Sequence, residues 1–304
     1  MTERVSVAVT ADLAEVRLDR TLANLTGLSR AQTRQLIENG EVLVAGMVAT
    51  KTTKARAGDI IEYPPLPPQE EFVPEPVPFA VALALDEVLV IDKPPGVVVH
   101  PGAGNKQGTL AHGLAHRFPE LVELGPDHRW GLVHRLDRDT SGLMLVARSA
   151  EMHRFLQQEL EKRRVGRTYR ALAAGQFAAA TGTIEAPIGR DPLRPTRMAI
   201  VREGRPARTH YRRLAEWDEL TLVEISLETG RTHQIRVHFA SIGHPLVGDT
   251  TYAEAAVDRG NPGRVWLHAV RLQFALPDGR EHIVESPLPA DLQAALDALG
   301  EPIS

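Results

Sequence analysis

The 304-residue chain has no cysteine, which excludes disulfide bonds, thiolate nucleophiles and zinc held by cysteine ligands. It also lacks long apolar runs, since no stretch approaches the roughly 18 residues that a bilayer-spanning helix needs. The N-terminal residues include early acidic side chains and no compact apolar core, so we expect no secretory signal. With 43% hydrophobic and 24% charged residues, the composition is typical of a soluble globular protein. We expect a cytoplasmic location.

The formal net charge of −4 conceals an uneven distribution of charged residues. Between Lys162 and Arg213 there are 13 lysines and arginines against 3 aspartates and glutamates. From Asp249 to the last residue there are 4 against 9. A basic middle of this kind attracts polyanions because their counterions are released on binding. A solvated arginine-rich surface would give the same count, so charge alone does not decide between the two.

A proline- and glutamate-rich stretch, PPLPPQEEFVPEPVP, divides the chain at residues 64–78. Such a stretch sustains neither a helix nor a central strand, and it is typical of a semi-rigid linker. We therefore predict an N-terminal segment over residues 1–14, a small module over 15–63 and a larger domain over 79–304.

The small module has the pattern of two short helices followed by strands. Leucines at helical spacing predict a first helix that ends near Gly27. Ser29 begins an S-x-x-Q capping box, which indicates the start of a second helix. A hairpin is predicted to turn at Ala45 and Gly46, and IIEY is predicted to form the last strand.

The larger domain is dominated by strand patterns. Val223 and Ile225 alternate with polar residues, as expected of a strand with one buried face. A helix is predicted after a cap at Ser149. Because hairpins join most of these strands and few helices intervene, we predict an α+β fold with a mixed, largely antiparallel sheet.

Two patterns suggest ligand sites that we do not expect to exist. The glycines between Gly102 and Gly108 resemble a dinucleotide fingerprint, but the last interval is one residue too long and no βαβ unit follows. His112 and His116 have the spacing of zinc ligands on a helix. They lack the intervening glutamate and a third ligand, so a helix-surface pair is the better interpretation. We expect no metal and no nucleotide cofactor.

A dense polar segment precedes an apolar strand, LMLVA, within residues 131–149. Polar residues crowded beside a buried strand are typical of an active-site loop on a rigid scaffold. They are also typical of a turn in which aspartates cap backbone amides. Asp137 and Asp139 form a carboxylate pair, but at this spacing they need not converge as the acid and base of a glycosidase must.

The small module resembles the S4 RNA-binding domain through RLDRTLANL, SRAQTRQLIENGEVLVAG and AGDIIE. The resemblance implies that an RNA helix is bound by four arginines, Arg17, Arg20, Arg30 and Arg34. The alternative is that these arginines only form a solvated helix face.

The larger domain resembles the RluA/RluD-type pseudouridine synthases, and the RluD-like branch most of all. Five segments carry this resemblance in the family's order: DKPPGVVVHPGAGNKQGTL (92–110), HRLDRDTSG (134–142), RTYRA (167–171), LETGRTHQIRVHFASIGHPLVGD (227–249) and WLHAVRLQF (266–274). The resemblance implies a catalytic aspartate at Asp137, an active-site tyrosine at Tyr169 and a basic partner at Arg236.

Pseudouridine formation breaks the N1–C1′ bond of uridine, rotates the uracil and rejoins it through C5. Asp137 would attack C1′ or remove a proton from C2′, and either step requires the ionised carboxylate. Arg236 would favour that anion through a charge-assisted hydrogen bond. Tyr169 would stack on the uracil, although RTYRALAAG equally fits a buried strand with Tyr169 as a core residue.

The target base lies within structured RNA and must be flipped out, which costs a few kcal/mol of stacking. Five residues near the two central motifs are candidates to fill the gap or to hold phosphate: Arg135, Arg138, Arg231, His233 and Gln234. Structural hydrogen bonding around the loops is an equally good interpretation for them.

The resemblance implies a substrate in large-subunit ribosomal RNA, free or in a pre-ribosomal particle, and we expect a monomer with no membrane partner. Three alternatives stay open. The chain could act on transfer RNA, because target choice depends on RNA shape and contacts. It could be a non-catalytic RNA-binding factor in ribosome assembly. It could be a hydrolase that uses Asp137 and Asp139.

Overall fold

The computed structural model describes residues 4–28, 30–65, 72–102, 104–125, 128–253 and 258–303. The cap predicted at Ser29 and part of the predicted linker lie outside these residues. The chain forms two compact units, residues 1–71 and residues 72–304.

The N-terminal unit combines two helices with a small antiparallel sheet. Its elements are β1 (Val5–Ala8), α1 (Leu18–Thr26), α2 (Arg30–Glu38), β2 (Leu43–Val44), β3 (Met47–Val48) and β4 (Ile60–Tyr63). The strands lie in the order β1-β4-β2-β3, so β1 is an edge strand of the sheet.

The predicted local structure of this unit is confirmed at its turns. The first helix ends at Gly27, which adopts a left-handed conformation with φ of 71°. Ala45 and Gly46 have φ of 50° and 78°, the paired positive values of a tight type I′ hairpin turn. Leu18 and Leu22 are fully buried between the helices and the sheet, so the helical spacing of the leucines marks the core face.

The larger unit is built on a long mixed sheet. Its first elements are β5 (Ala80–Ala84), β6 (Val88–Lys93), α3 (Leu110–Arg117), β7 (Ser141–Ala147), α4 (Ala150–Glu161), β8 (Gly166–Ala174) and β9 (Thr181–Glu185). The remaining elements are β10 (Ile188–Arg190), β11 (Met198–Ile200), β12 (Arg208–Trp217), β13 (Leu220–Leu227), α5 (Gln234–Ser241), β14 (Leu267–Ala275), β15 (Glu281–Glu285) and α6 (Ala290–Asp297).

Nine strands form the sheet in the order β5-β6-β7-β14-β8-β13-β12-β9, with β15 added beside β14. The pairing of β7 with β14 is parallel, and the other strand pairs of the sheet are antiparallel. The α+β class and the mixed, largely antiparallel sheet are therefore confirmed. A separate hairpin, β10 and β11, lies outside this sheet.

Helices cover both faces of the sheet, so its central strands are apolar on both sides. Every residue of β7 is buried. Met144 and Val146 pack with side chains of α3 and α5 on one face, and Leu143 and Leu145 pack with side chains of α4 on the other. The period-2 alternation of a strand thus divides one apolar run between two cores.

The polar segment before β7 is fixed to the neighbouring strand by Lys93, at the end of β6. Lys93 is fully buried, and its ammonium group donates to three carbonyls, those of Pro94 (2.8 Å), Val97 (3.0 Å) and Arg138 (2.9 Å). Burial lowers the pKa of Lys93 to about 7, while the charges of Asp139 and Asp137 oppose this fall. These bonds therefore fix the segment that contains Asp137 to the end of β6.

Replacing Lys93 with methionine should lower the free energy of unfolding by about 2–4 kcal/mol, because three carbonyls beside this buried side chain lose their charged donor. The measurement is urea unfolding at pH 6, where the lysine is protonated. Tryptophan fluorescence reports on the larger unit alone, since Trp130, Trp217 and Trp266 all lie within it. The control is Lys162→Met, at a half-exposed lysine, which should change stability by less than about 0.5 kcal/mol. Equal effects of both substitutions would contradict this role of Lys93.

Candidate active site

An open cleft of about 540 Å³ lies in the larger unit. Its walls include the polar segment before β7, the last turn of α4, the strand β8, and the segment that joins β13 to α5. Asp137, Tyr169 and Arg236, the three residues predicted from the sequence, all line it. The structure therefore brings together residues that lie far apart in the chain.

The guanidinium group of Arg236 joins two carboxylates. It forms a bidentate pair with Asp249, at 2.7 Å from Nε to Oδ2 and 2.8 Å from Nη2 to Oδ1. Its remaining nitrogen, Nη1, lies 3.4 Å from Oδ2 of Asp137. Burial by itself would lower the pKa of Arg236, but the pair with Asp249 and the charge of Asp137 outweigh it and raise the pKa. Arg236 is therefore a permanent cation at this site.

Gln234, the first residue of α5, fixes the loop that precedes this helix and so helps to position Arg236. The side-chain Oε1 of Gln234 accepts hydrogen bonds from the hydroxyl of Thr229 (2.8 Å) and the backbone N–H of Arg231 (3.0 Å). Its amide donates to the carbonyl of Arg208 and the hydroxyl of Thr209, each at 3.0 Å. Gln234 is 3% exposed, so the structural role left open by the sequence fits it better than an RNA contact.

Tyr169 lies on β8 and is both a core residue and a wall of the cleft. Its ring packs in the main hydrophobic cluster and its side chain faces the cavity. Burial raises the pKa of its hydroxyl; the charge of Asp137 adds to this rise and Arg167 opposes it. The phenol is therefore neutral at physiological pH, and within the described part of the chain its oxygen has no hydrogen-bond partner. The position of Tyr169 fits both interpretations made from the sequence, the active-site tyrosine and the core residue of a buried strand.

His233 stands between Asp137 and Tyr252. Its Nε2 lies 3.9 Å from Oδ1 of Asp137, and its Nδ1 lies 2.7 Å from the hydroxyl of Tyr252. Its backbone has a φ of 55°, a left-handed conformation at the residue that precedes the first turn of α5. The ring thus belongs to the wall of the cleft.

Of the other candidate arginines in the larger unit, two line the cleft and one lies outside it. Arg135 and Arg231 line the cleft, and Arg231 is anchored by a bond from its Nε to the carbonyl of Pro206 at 3.1 Å. Arg138 is exposed and bonds to the carbonyl of Gly96 at 3.3 Å. Arg138 is therefore not among the residues that face the cavity.

Three of the four candidate arginines in the N-terminal unit have described side chains. Arg17 and Arg34 form ion pairs with the same buried carboxylate, Asp19, at 3.0 and 2.9 Å. Arg20 is exposed. The side chain of Arg30 lies outside the described residues. Because Arg17 and Arg34 share one partner, α1 and α2 present their charges on a common surface.

Four residues of the site were not singled out from the sequence: Asp249, Tyr252, Arg167 and Arg205. The two arginines were included only as part of the basic middle of the chain. Arg167 could have been found, because alternation along β8 places it on the same face as Tyr169. Nothing in the spacing of Asp249 or Tyr252 indicates that a loop brings them back to α5.

The interpretation of His112 and His116 as a helix-surface pair is wrong for His112. Both lie on α3, but His112 is 2% exposed. Its ring bonds to the hydroxyl of Thr109 at 2.7 Å and stacks on Phe72, so it serves the helix cap and the core. In the described parts of the chain no cluster of acidic residues and histidines could hold a metal ion, and no helix there has the length and apolar character to cross a membrane.

Comparison with known proteins identifies the class to which this site belongs. Residues 87–241 match the RNA pseudouridylate synthase family, and residues 16–61 match the S4 domain. An RNA pseudouridine synthase of Chloroflexus aurantiacus, itself named as uncharacterized, is 45% identical over 98% of this chain and 94% of its own length. Ribosomal large subunit pseudouridine synthase D of Nitrosomonas europaea is 42% identical over 97% of this chain and 88% of its own.

A solved structure of the same family is also similar to this chain. Human RNA pseudouridylate synthase domain containing 1 matches with a TM-score of 0.59 and 29% identity, over 76% of this chain and 91% of that one. The chain belongs to the RNA pseudouridylate synthase family, with an N-terminal S4 domain. It is an RNA-modifying isomerase, as the resemblance of its motifs predicted.

Replacing Asp249 with asparagine should lower the turnover number for pseudouridine formation by about 100-fold, because Arg236 loses its charged anchor and moves relative to Asp137. The Michaelis constant should change little. The matched control is Asp278→Asn, at an exposed aspartate that also pairs with an arginine and caps a backbone amide. Tryptophan fluorescence checks that both variants fold. Full turnover by a folded Asp249→Asn variant would contradict the anchoring role.

Proposed function

We propose that this enzyme converts specific uridines of large-subunit ribosomal RNA to pseudouridine, with Asp137 as the essential carboxylate and the target base flipped into the cleft. One observation carries the proposal: the carboxylate of Asp137 lines an open cleft with a buried cation, Arg236, on one side and a buried phenol, Tyr169, on another. The substrate follows from relatives that are named ribosomal large subunit pseudouridine synthase D.

The reaction needs one ionised carboxylate and no redox group. Cleavage of the N1–C1′ bond requires Asp137 either to attack C1′ or to remove the proton from C2′. In both courses the anion is the reactive form, and Arg236 places a fixed cation 3.4 Å from it. Arg236 contacts Oδ2, so Oδ1 is left to face the substrate.

Tyr169 has the properties that the second half of the reaction needs. Its ring forms part of the cleft wall, where a uracil released from C1′ could stack and rotate. Its hydroxyl is kept neutral by burial and has no partner among the described residues. A neutral phenol is not itself a base, so it takes the proton that must leave C5 only as it passes its own proton to an acceptor. The Asp137 carboxylate, free again once the new bond has formed, is that acceptor in the same cleft.

The cleft is large enough for a flipped nucleotide, since its volume of about 540 Å³ falls within the range of small-ligand sites. Flipping costs a few kcal/mol, which contacts with the RNA backbone can offset. Six arginines besides Arg236 line the cleft: Arg129, Arg135, Arg163, Arg167, Arg205 and Arg231.

Three of these arginines, Arg167, Arg205 and Arg231, lie close enough for the charges of the first two to act on the third, and among the described residues none of them forms an ion pair with a carboxylate. Arg167 is 8% exposed, and its Nε has no hydrogen-bond partner among the described residues. Its Nη1 lies so close to Gly230 that a β-carbon there would meet it at 2.8 Å. Burial lowers the pKa of Arg231, and the charges of Arg205 and Arg167 lower it further. Such mutual repulsion is relieved by a phosphate, so we assign the RNA backbone to this wall.

The S4 domain supplies a second contact with RNA in this proposal. Arg17, Arg20 and Arg34 are the described arginines of its two helices, and their charges suit the phosphates of a duplex. They hold structured RNA without selecting the uridine, whereas the cleft selects it.

The decisive experiment is tritium release from C5-tritiated uridine in unmodified large-subunit ribosomal RNA. Wild type should release tritium, and Asp137→Asn should be slower by about 1,000-fold or more, as expected when a nucleophile or general base is lost. The matched control is Asp139→Asn, two residues away and exposed, which should retain activity within about twofold. Equal release by wild type and Asp137→Asn would contradict the assignment of Asp137.

Transfer RNA and assembled large subunits serve as parallel substrates in the same assay. Release from transfer RNA alone would contradict the ribosomal substrate and leave the chemistry intact. Binding of all three RNAs with no release from any would instead support a non-catalytic assembly factor.

A further inference from the structure

We propose that Tyr252 holds His233 in the tautomer that carries its proton on Nε2, and that His233 is thereby a positioning residue which donates toward Oδ1 of Asp137. This inference rests on the proposed function, because it takes Asp137 as the reacting carboxylate. Tyr252 and His233 together are called the Tyr–His pair below.

The direction of the hydrogen bonds follows from a count of donors. The backbone N–H of Met198 can only donate, and it points at the Tyr252 oxygen from 3.1 Å. The hydroxyl proton of Tyr252 still needs an acceptor, and among the described residues Nδ1 of His233, 2.7 Å away, is the one it reaches. A neutral imidazole that accepts at Nδ1 carries its proton on Nε2. That nitrogen faces Asp137.

The imidazole is neutral under the conditions in which the enzyme acts. Burial lowers the pKa of His233; Arg236 and Arg135 lower it further, while Asp137 and Asp249 oppose the fall. A protonated ring would also carry hydrogen on Nδ1, which would compete with the hydroxyl proton of Tyr252. The Tyr–His pair therefore favours one neutral tautomer.

The two oxygens of Asp137 then face different donors. Arg236 lies 3.4 Å from Oδ2, and Nε2 of His233 lies 3.9 Å from Oδ1. A single contact leaves a carboxylate free to rotate about its Cβ–Cγ bond, whereas N–H groups beside both oxygens favour one orientation of the plane. The 3.9 Å separation exceeds a hydrogen bond, so His233 steers Oδ1 without closing it to substrate.

The backbone at His233 supports a role for its ring. The residue has a φ of 55° at the N-cap of α5, and its side chain makes no capping hydrogen bond to the helix. Histidine, like asparagine and aspartate, adopts this conformation more often than most residues other than glycine. With no capping bond to make, the ring is left to its contacts with Tyr252 and Asp137.

Tyr252 is in turn held by the same carboxylate that anchors Arg236. Asp249 accepts hydrogen bonds from the backbone of Thr251 (2.9 Å) and Tyr252 (3.1 Å). The Tyr252 ring lies 5.1 Å from the guanidinium of Arg236. Asp249 therefore fixes both groups that contact Asp137, one directly and one through the Tyr–His pair.

Substitutions separate this role from simple packing. Tyr252→Phe removes the hydroxyl and should lower the turnover number about 10-fold, with the Michaelis constant changed by less than about twofold. The control is Tyr211→Phe, because the Tyr211 hydroxyl has no hydrogen bond within the described residues; it should match wild type. Equal turnover by Tyr252→Phe and wild type would overturn the proposal.

Two replacements of His233 test the position of the donor. Asparagine suits the left-handed backbone and reaches only as far as Nδ1, so His233→Asn should lose about 30-fold in turnover number. Glutamine can place its amide N–H where Nε2 stands, so His233→Gln should recover to within about threefold of wild type. Equal losses in both variants, or a loss confined to the Michaelis constant, would contradict a donor at this point.

The tautomer can be measured directly in the RNA-free full-length protein. With ¹⁵N-labelled histidine, the His233 signal is identified by its disappearance in His233→Asn. Wild type should show a protonated Nε2 and an unprotonated Nδ1, and Tyr252→Phe should shift toward a mixture. A proton on Nδ1 in wild type would overturn the proposal. Because no substrate is used, this result is independent of whether Asp137 proves to be essential.

Discussion

The site depends on one guanidinium group shared by two carboxylates. A buried charge is costly unless it is paired and fully hydrogen-bonded, and Arg236 meets this condition through its bidentate contact with Asp249. Because Asp249 is anchored by backbone amides and fully inaccessible, Arg236 has little freedom to move. Its third nitrogen is then directed at Asp137, which remains accessible in the cleft. A rigid cation is thus presented to a carboxylate that must stay ionised while it reacts.

The fold serves this interaction by bringing three distant segments to one place. The parallel pairing of β7 with β14 puts the end of the polar segment, at Ser141, in the middle of the sheet. The ammonium group of Lys93 holds this segment by its bond to the Arg138 carbonyl. At Gly142, with φ of 115°, a β-carbon would meet the Ala269 carbonyl oxygen at 2.4 Å, so the two strands can approach only because this residue is glycine. Helix α5 then supplies Arg236 from the opposite wall.

Local structure was predictable wherever short-range rules decide it. The turn at Ala45 and Gly46 and the cap at Ser149, whose hydroxyl accepts from the Met152 amide, follow from turn and capping chemistry. Helix α5 was not predicted, because it is buried on nearly all sides and has no amphipathic period. The candidate trio could be named from motif resemblance, yet the partners that orient it could not. The Asp249–Arg236 pair depends on how a loop folds back, and the burial of His112 depends on a ring, Phe72, from another segment.

The most direct test of the account is a crystal structure of the enzyme with the RNA stem-loop that contains its target uridine, substituted with fluorine at C5. Fluorine replaces the hydrogen that must leave last, so the RNA should remain in the cleft. We expect the base outside the helical stack, with C1′ within about 3.5 Å of the Asp137 carboxylate and the Arg236–Asp249 pair intact. A target base that stays stacked, or a C1′ that lies beyond the reach of Asp137, would contradict the account.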